Sequence, residues 1–354
     1  MTPDEPDTPY LFVDAAVTER NLETMAATAR ELGIALRPHA KTHKCPPLGL
    51  RQVELGAVGL TLATVAEAEI FADGGCRDIF LAYPVWAGGR RGRRLTALAE
   101  RVRLRLGVDS AESAAVLAAA VPGAEVLVEV DSGHHRSGVP PREAGAVALA
   151  ASRHGLRVIG AFTFPGHGYG PGNRSRAAVD EADTLAEADR VLREAGFEVE
   201  VRSGGSTPTA ALSARGTVTE IRPGSYVFND AQQLETGSCD WSDIGLYAVS
   251  TVVSRRGRQV ILDSGNKILG ADRPQWATGH GRLLHHPDAR VTALSEHHAT
   301  VVFPPDEPPP ELGSRVSVVP NHVCTAVNLV DELLVGTAGT IQDRWPVRAR
   351  GANA

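Results

Sequence analysis

Residues 103–131 read RLRLGVDSAESAAVLAAAVPGAEVLVEVD, and this stretch decides the fold class. Its two ends are rich in apolar and β-branched residues, as in buried strands, while its middle is rich in alanine, which favours helix. The pattern predicts a strand over Arg103–Asp109, a helix over Ala111–Ala120 and a strand over Glu125–Asp131. Such strand–helix–strand units have parallel strands.

The same unit recurs along the first two thirds of the chain. Helix-favouring segments such as Arg142–Arg153 and Arg176–Ala195 separate further strand-like runs. These runs are Leu36–Lys41, Gly59–Thr64, Ile79–Pro84, Val158–Pro165, Val199–Gly205 and Thr219–Phe228. Eight such strands in alternation with helices predict an α/β fold of the (β/α)8 TIM barrel type. A doubly wound open sheet is the alternative.

The pattern changes near Leu246. From there the strand-like runs YAVSTVVS, RQVILDSG, ATVVF, RVSVVP and DELLVG are separated by Gly, Pro and Asp with no helical period between them. This pattern predicts a C-terminal all-β domain. The proline-rich stretch Phe303–Pro310 is predicted as a loop. A length of 354 residues also favours two domains. We place the barrel at residues 10–240 and the β-rich domain at 241–354, with the segment 1–9 as a candidate to join the latter.

Composition narrows the classes of function. The net charge of −6 and the lack of a basic run beyond Arg90–Arg94 argue against a nucleic-acid partner, and that run is predicted as a solvated helix start. No stretch approaches the roughly 20 apolar residues of a membrane span. The acidic, polar first residues do not resemble a secretory signal, so we expect a cytoplasmic protein. Four cysteines are too sparse for a disulfide framework.

Lysine is scarce, and its placement is informative. Only Lys41, Lys44 and Lys267 occur among 36 basic residues, and the first two lie within four residues at the end of the first predicted strand. Arginine cannot replace lysine in Schiff-base chemistry, because it does not deprotonate in proteins. Barrel enzymes place their active sites at the carboxyl ends of the strands. Lys41 is therefore a candidate nucleophilic amine, although surface lysines are the alternative.

Glycines and hydroxyl residues end the last two predicted strands. The first group is Ser203-Gly204-Gly205-Ser206-Thr207 and the second is Arg222-Pro223-Gly224-Ser225-Tyr226. Barrels commonly bind phosphate at these two strand ends through backbone N–H groups. One such stretch alone could be an ordinary turn, but two at the expected ends predict a phosphate site.

Two further loops follow predicted strands five and six. The first presents Arg136, which could stay charged beside a cofactor or could instead pair with Asp131. The second is a glycine-rich loop that presents His167 and Tyr169. We expect these three side chains to line the site, with His167 and Tyr169 as catalytic candidates.

In the second domain a predicted strand over Arg315–Val319 leads into His322 and Cys324. On an extended chain, side chains two residues apart point to the same side. Imidazole and thiolate suit Zn²⁺, and only two protein ligands would leave positions open for water or substrate, as a catalytic site requires. A buried cysteine beside a surface histidine is the alternative.

These motifs together resemble the fold-type III pyridoxal-phosphate (PLP) enzymes, in the branch of D-serine dehydratase and D-threonine aldolase, over nearly the whole chain. RPHAKTHK, residues 37–44, is similar to the segment of the Schiff-base lysine, which implies that Lys41 carries the cofactor with His39 beside it. DSGHHRSGV, residues 131–139, resembles the loop whose arginine contacts the cofactor. SGGSTPT and RPGSYVFND resemble the phosphate loops, which implies cofactor contacts for Ser203, Gly204, Gly205, Ser206, Thr207 and Tyr226, and Tyr169 is placed there too.

The segment PNHVCTAVNLVDE, residues 320–332, is similar to the metal-binding segment of the branch. Members with His-x-Cys resemble zinc-dependent dehydratases, and members with His-x-Asp resemble manganese- or magnesium-dependent aldolases. The resemblance thus implies a PLP- and zinc-dependent dehydratase of a D-β-hydroxy amino acid such as D-serine, in a homodimer. A D-threonine aldolase-type cleavage, with Mn²⁺ or Mg²⁺ as alternative metals, is the second reading. An amino-acid racemase and a PLP-binding protein without turnover are further alternatives.

Overall fold

The computed structural model describes residues 6–213 and 216–354, which divide into two compact units. The barrel unit comprises Glu23–Lys41, Pro46–Gly224 and Ala352–Ala354. The β unit comprises the residues up to Leu22, Thr42–Cys45 and Ser225–Gly351. The boundaries differ from those predicted, because residues 10–22, 42–45 and 225–240 belong to the β unit, whereas the last three residues belong to the barrel unit.

The secondary structure of the described residues is labelled in chain order. The strands are β1 (Tyr10–Asp14), β2 (Ala35–Leu36), β3 (Leu60–Leu62), β4 (Asp78–Pro84), β5 (Arg103–Val108), β6 (Glu125–Glu129), β7 (Arg157–Phe162), β8 (Val201–Gly204), β9 (Glu220–Ile221), β10 (Leu246–Arg256), β11 (Gln259–Leu262), β12 (Gly281–Leu283), β13 (His286–Leu294), β14 (Ala299–Val302), β15 (Arg315–Pro320), β16 (Glu332–Thr337) and β17 (Thr340–Pro346). The α-helices are α1 (Ala15–Leu32), α2 (Pro46–Glu54), α3 (Val65–Asp73), α4 (Gly89–Ala99), α5 (Ala111–Ala120), α6 (Ala144–Arg153), α7 (Arg174–Glu194), α8 (Ala231–Glu235), α9 (Asn266–Leu269) and α10 (Val323–Asn328). Short 3₁₀ turns lie at Pro141–Glu143, Gly166–Gly168, Ala210–Leu212, Ser225–Val227 and Trp241–Asp243.

The barrel unit contains an eight-stranded parallel sheet in the order β2-β9-β8-β7-β6-β5-β4-β3. A parallel bridge between His39, just beyond β2, and Thr61 of β3 joins the two ends of this order. The structure therefore confirms the predicted TIM-like barrel, and the open doubly wound sheet is wrong.

The predicted helices recur with few changes. Helix α5 has the predicted bounds, and the Ser110 side chain caps it by accepting a hydrogen bond from the Ser113 N–H. Helices α6 and α7 begin within two residues of their predicted starts. The arginine run lies at the start of α4, where Arg90, Arg91 and Arg93 are exposed as expected.

Aromatic and aliphatic side chains fill the barrel. Phe80, Leu127, Ile159 and Phe162 form one buried cluster, in which the two phenylalanine rings meet edge to face with centroids 5.1 Å apart. Burial of these apolar surfaces stabilises the sheet. This packing holds the ends of β4, β6 and β7 in fixed positions around the barrel.

The β unit contains a nine-stranded sheet in the order β11-β14-β13-β12-β15-β10-β1-β16-β17. Strand β11 also pairs with β10, so six strands form a closed ring. Strand β1 lies between β10 and β16, although the sequence placed it in the barrel domain. The predicted runs that became β10, β11, β14, β15 and β16 are confirmed, as is the proline-rich loop, whereas β12, β13 and β17 were missed. Among the described helices, none combines the length and apolar character needed to cross a membrane.

Candidate active site

A cavity of about 520 Å³ opens at the carboxyl ends of the barrel strands. That volume falls within the range of roughly 300–1,000 Å³ typical of cofactor sites. Its described lining residues are His39, Lys41, Leu62, Ala63, Ala82, Tyr83, Pro84, Asp109, Arg136 and Ser137. The structure thus brings together Lys41, His39 and Arg136. The sequence had placed the first two at the end of the first predicted strand and Arg136 on the loop after the fifth.

His39 lies at the wall of the cavity, where it is half-buried. Desolvation lowers its pKa well below the usual value, and the charges of Lys41, Arg222 and Arg136 add to the effect, which favours the neutral imidazole. Its Nδ1 atom is buried and has no hydrogen-bond partner among the described residues. A neutral ring with an unpaired nitrogen fits an aromatic cofactor better than a charged ring would.

Arg136 faces the cavity and does not pair with Asp131. Its guanidinium lies 4.9 Å from the centre of the Phe164 ring, a cation–π contact. Asp131 instead binds the Nδ1 atom of His135 at 2.6 Å and accepts the N–H groups of Gly133 and His135. These contacts fold the loop and leave Arg136 available for an anionic group.

His167 and Tyr169 lie on the following loop but are not among the described residues that line the cavity. The Nε2 atom of His167 lies 3.3 Å from an oxygen of Asp180, and its Nδ1 atom is buried without a partner among the described residues. The ring of Tyr169 lies 6.2 Å from that of Phe164. Their catalytic roles stay predictions.

The loop after β8 is held by side chains of the barrel unit. The Gly205 N–H donates to the Glu181 carboxylate, and the Ser206 N–H donates to Thr209 Oγ1 at 3.0 Å. Thr207 Oγ1 accepts the Gly224 N–H at 3.2 Å, which links the two loops that the sequence assigned to phosphate. The phosphate role of Ser203 to Thr207 therefore stays a prediction, since two of its N–H groups already have acceptors.

Sequence reasoning missed several residues of the barrel site. Tyr83 and Asp109 line the cavity. Asp109 ended a predicted strand and Tyr83 was the residue before the end of another, so the rule that inspects strand ends would have found them. Arg222 is buried at the end of β9, where it donates to Ser203 Oγ at 2.6 Å and to the Thr163 carbonyl at 2.5 Å. Burial lowers the Arg222 pKa, although Glu220 acts in the opposite direction.

His322 and Cys324 lie together in the β unit, but not on an extended chain as predicted. His322 is the extended N-cap of α10, and Cys324 is the second residue of that helix. The helix begins here because Asp230 accepts the Val323 N–H at 3.0 Å. The side chains of His322 and Cys324 are nevertheless hydrogen-bonded to each other.

Two further residues orient this pair. His322 Nδ1 lies 3.2 Å from an Asp272 oxygen, which leaves Nε2 for a metal, and the hydroxyl of Thr42 lies 3.2 Å from the Cys324 sulfur. Burial lowers the pKa of His322, but the charge on Cys324 and the bond to Asp272 outweigh it, so the net pKa is raised. A carboxylate behind a ligating histidine is the usual outer contact of a zinc site.

The donor set fits a metal bound by few protein atoms. In residues 6–213 and 216–354, no group of three or more His, Cys, Asp or Glu side chains is arranged to hold a metal ion. An imidazole and a thiolate, with their outer contacts in place, suit Zn²⁺ with the remaining positions left to water or substrate.

Tyr226 is also buried in the β unit, within a 3₁₀ turn, and its predicted cofactor contact is untested.

Comparison with known families agrees with both units. The family described as the N-terminal domain of alanine racemase matches residues 13–232, and the putative serine dehydratase domain matches residues 245–336. The chain is 34% identical to a D-threonine aldolase of Arthrobacter sp, covering 98% of this chain and 93% of that protein. It is 31% identical to the D-threo-3-hydroxyaspartate dehydratase of Delftia sp. strain HT23, covering 90% and 91%.

Solved structures give the same result. The structure of the Delftia dehydratase aligns with a TM-score of 0.88 at 30% identity, covering 96% of this chain and 97% of that one. The D-threonine aldolase of Filomicrobium marinum aligns with a TM-score of 0.84 at 33% identity, covering 98% and 96%. These matches include enzymes of both the dehydratase and the aldolase type. The chain therefore belongs to the fold-type III PLP enzymes with an alanine racemase-like barrel, and within them to the PLP-dependent lyases that include D-threonine aldolase and D-threo-3-hydroxyaspartate dehydratase.

Proposed function

We propose that this enzyme is a zinc-dependent dehydratase of a D-β-hydroxy amino acid such as D-serine. The observation that carries the proposal is the pairing of His322 with Cys324 at the start of α10, supported by Asp272 and Thr42. A soft sulfur ligand favours Zn²⁺ over Mn²⁺ or Mg²⁺, which prefer oxygen. The His-x-Cys pattern is also the one that resembles the dehydratases.

The residues of the chain divide the work. Lys41 would hold the cofactor and then move the Cα proton, while the neutral His39 and the charged Arg136 would orient the cofactor in the cavity. His322 and Cys324 would hold the metal. When bound, PLP supplies an electron sink for a carbanion at Cα, and Zn²⁺ supplies a Lewis acid for the β-hydroxyl. Hydroxide is a poor leaving group without such an acid.

Two solved variants of the Delftia dehydratase support the metal assignment. One replaces a cysteine with alanine and is in the metal-free form, and the other replaces a histidine two residues earlier with alanine. Both align with this chain at a TM-score of 0.88. The spacing of the two altered positions equals that of His322 and Cys324, so we assign the same pair here.

A retro-aldol cleavage of the D-threonine aldolase type is the second candidate. Its support is the 34% identity to the Arthrobacter aldolase over nearly the whole chain. In that reaction the metal site would favour loss of the β-hydroxyl proton, so that the Cα–Cβ bond breaks and glycine and an aldehyde form. Two solved alanine racemases are 12–13% identical and support the shared fold alone.

Product identification separates the two candidates. The purified enzyme with zinc should be incubated with D-serine, D-threonine and D-threo-3-hydroxyaspartate. Dehydration of D-serine gives pyruvate and ammonia, whereas aldol cleavage of D-threonine gives glycine and acetaldehyde. Keto acid and ammonia without glycine would support the dehydratase, and glycine with aldehyde would replace it by the aldolase. Turnover of L-serine or racemisation of D-alanine at a comparable rate would contradict both. The homodimer stays a prediction from the resemblance.

A further inference from the structure

Glu181 is a buried carboxyl group that the proposed reaction does not use. It lies on the barrel-facing side of α7 and is completely buried. Burial raises its pKa to about 7, although the Gly205 N–H and the charge of Arg222 act in the opposite direction. Its Oε2 atom has no hydrogen-bond partner among the described residues. Such a group costs stability, so its presence calls for an explanation.

The Glu181 carboxyl meets the loop after β8 at its two glycines. Its Oε1 atom accepts the Gly205 N–H. A Cβ atom on Gly204 would overlap with the same Oε1 atom, so a larger residue at this position would displace the Glu181 carboxyl from its present place. Gly205 has a φ of 73°, in the left-handed region that favours glycine. Glu181 thus accounts for one of the two glycines and fixes the N–H of the other.

Hydrogen bonds to Thr209 and Gly224 hold the next two residues of the loop, Ser206 and Thr207. Ser206 is tied to Thr209 through both its N–H and its hydroxyl, each at 3.0 Å. Thr207 is tied to the strand-end loop of β9 by the Gly224 N–H. Because Glu181 is the anchor at the start of the loop, its loss would free the segment that leads from β8 into these contacts.

We propose that Glu181 is the positioning residue of the phosphate loop, and that its hydrogen bond to Gly205 holds the loop in the conformation that binds the cofactor phosphate. The inference rests on the PLP enzyme class and on the phosphate role assigned to residues 203–207. It does not depend on whether the enzyme dehydrates or cleaves its substrate. Glu181 would act through the loop and would not touch the reacting atoms.

Binding of PLP and of pyridoxal, which lacks the phosphate, tests this role. Both should be titrated into the apoenzyme and followed by absorbance for wild type and for Glu181→Ala. Loss of a hydrogen bond to a charged group corresponds to a drop in PLP affinity of roughly tenfold to a hundredfold. Pyridoxal affinity should change by less than about threefold, because pyridoxal makes no phosphate contact. Equal losses for both ligands, or no loss for PLP, would overturn the proposal.

Two variants serve as controls. Glu181→Gln keeps an oxygen acceptor for the Gly205 N–H and should restore PLP affinity to within about threefold of wild type. Glu187→Gln alters an exposed carboxyl on the same helix and should change neither affinity. If Glu181→Ala does not fold, PLP and pyridoxal should be titrated into Glu181→Asp instead. Its shorter side chain draws the acceptor away from Gly205, so the ratio of PLP affinity to pyridoxal affinity should fall. An unchanged ratio of PLP to pyridoxal affinity in that variant would reject the role.

The neighbouring glycine offers an independent check. Gly204→Ala should weaken PLP binding in wild type, because the new methyl group overlaps with Glu181 Oε1. In the Glu181→Ala background that overlap is gone, so the same substitution should cost much less. Independent, additive effects of the two substitutions would show that the residues are not coupled and would contradict the proposal.

Discussion

The hydroxyl of Thr42 lies 3.2 Å from the sulfur of Cys324, although 282 residues separate them in the chain. Once Cys324 is a thiolate, the hydroxyl can donate a hydrogen bond to the sulfur. Hydrogen bonds of this kind orient a ligand and adjust its donor strength. Thr42, the residue after Lys41, therefore contacts a proposed metal ligand.

Replacing Thr42 with valine should therefore weaken zinc binding about tenfold to a hundredfold. Thr42→Ser, which keeps the hydroxyl, should bind zinc within a few-fold of wild type. Competition with a chromogenic chelator measures both affinities directly. Equal affinities for the valine and serine variants would show that the hydroxyl has no effect on the metal.

Removing the metal should separate cofactor binding from dehydration. Chelation or Cys324→Ala should lower turnover of D-serine by about a thousandfold or more, because the leaving hydroxide loses its Lewis acid. The visible absorbance of bound PLP should remain, since the cavity lies in the barrel unit. Unchanged dehydration by the metal-free protein would exclude a catalytic metal.

The variant Cys324→Asp tests whether the side chain at this position sets the metal preference. It keeps an anionic ligand but exchanges soft sulfur for hard oxygen, so the metal preference should shift towards Mn²⁺ or Mg²⁺. Activity measured after reconstitution with each metal gives the order of preference. Retention of the wild-type zinc preference would argue that Cys324 is not a ligand.

Lys41 should carry the cofactor. Borohydride reduction followed by peptide mapping should place the label on Lys41, which lines the cavity. Lys44 serves as an internal control, because it is buried and its Nζ atom donates to Asn328 at 2.7 Å. Label on Lys44 or Lys267 would transfer the assignment to that residue.

The Glu181 carboxyl should make stability depend on pH. On folding its pKa rises from 4.5 to about 7, so the unfolded chain releases the proton first as pH rises. Below pH 4.5 the carboxyl is protonated in both the folded and the unfolded state, so burial of a charged carboxylate costs no stability. Above pH 7 this cost reaches its full value of about 3 kcal/mol. Glu181→Gln removes this penalty. Its free energy of unfolding in urea, relative to wild type, should therefore rise by roughly 2 to 3 kcal/mol between pH 5 and pH 8. A constant difference would contradict the raised pKa.

The barrel could be predicted from the sequence because its signals are local. The strands β4, β6 and β7 are short and mostly apolar, and α5 carries its own cap in Ser110. Strand β1 could not be assigned in this way, since its partners Leu246–Val249 and Leu334–Gly336 lie more than 200 residues away. Its residues Leu11, Phe12 and Val13 suit either unit. Only tertiary pairing decides between them.

The secondary structure of the predicted metal-binding segment, residues 320–332, likewise depends on a residue far away in the chain. Val323, Thr325 and Val327 are β-branched and favour strand, yet they lie in α10. Asp230, 93 residues earlier, decides the helix start by accepting the Val323 N–H. The spacing of His322 and Cys324 made them candidates for a pair, and the resemblance to the metal-binding segment of the family supported that assignment. Their helical geometry was not, because the cap comes from a distant part of the chain.

The position of β1 has a consequence for synthesis of the chain. The ribosome makes this apolar strand more than 220 residues before its antiparallel partner β10 and its parallel partner β16. The barrel segments 23–41 and 46–224 are made in this interval. The nascent chain must therefore carry an unpaired hydrophobic strand edge while the barrel segments are made. Such edges aggregate readily, so yield of folded protein should depend on chaperones and on elongation rate more than the stability of the finished barrel would suggest.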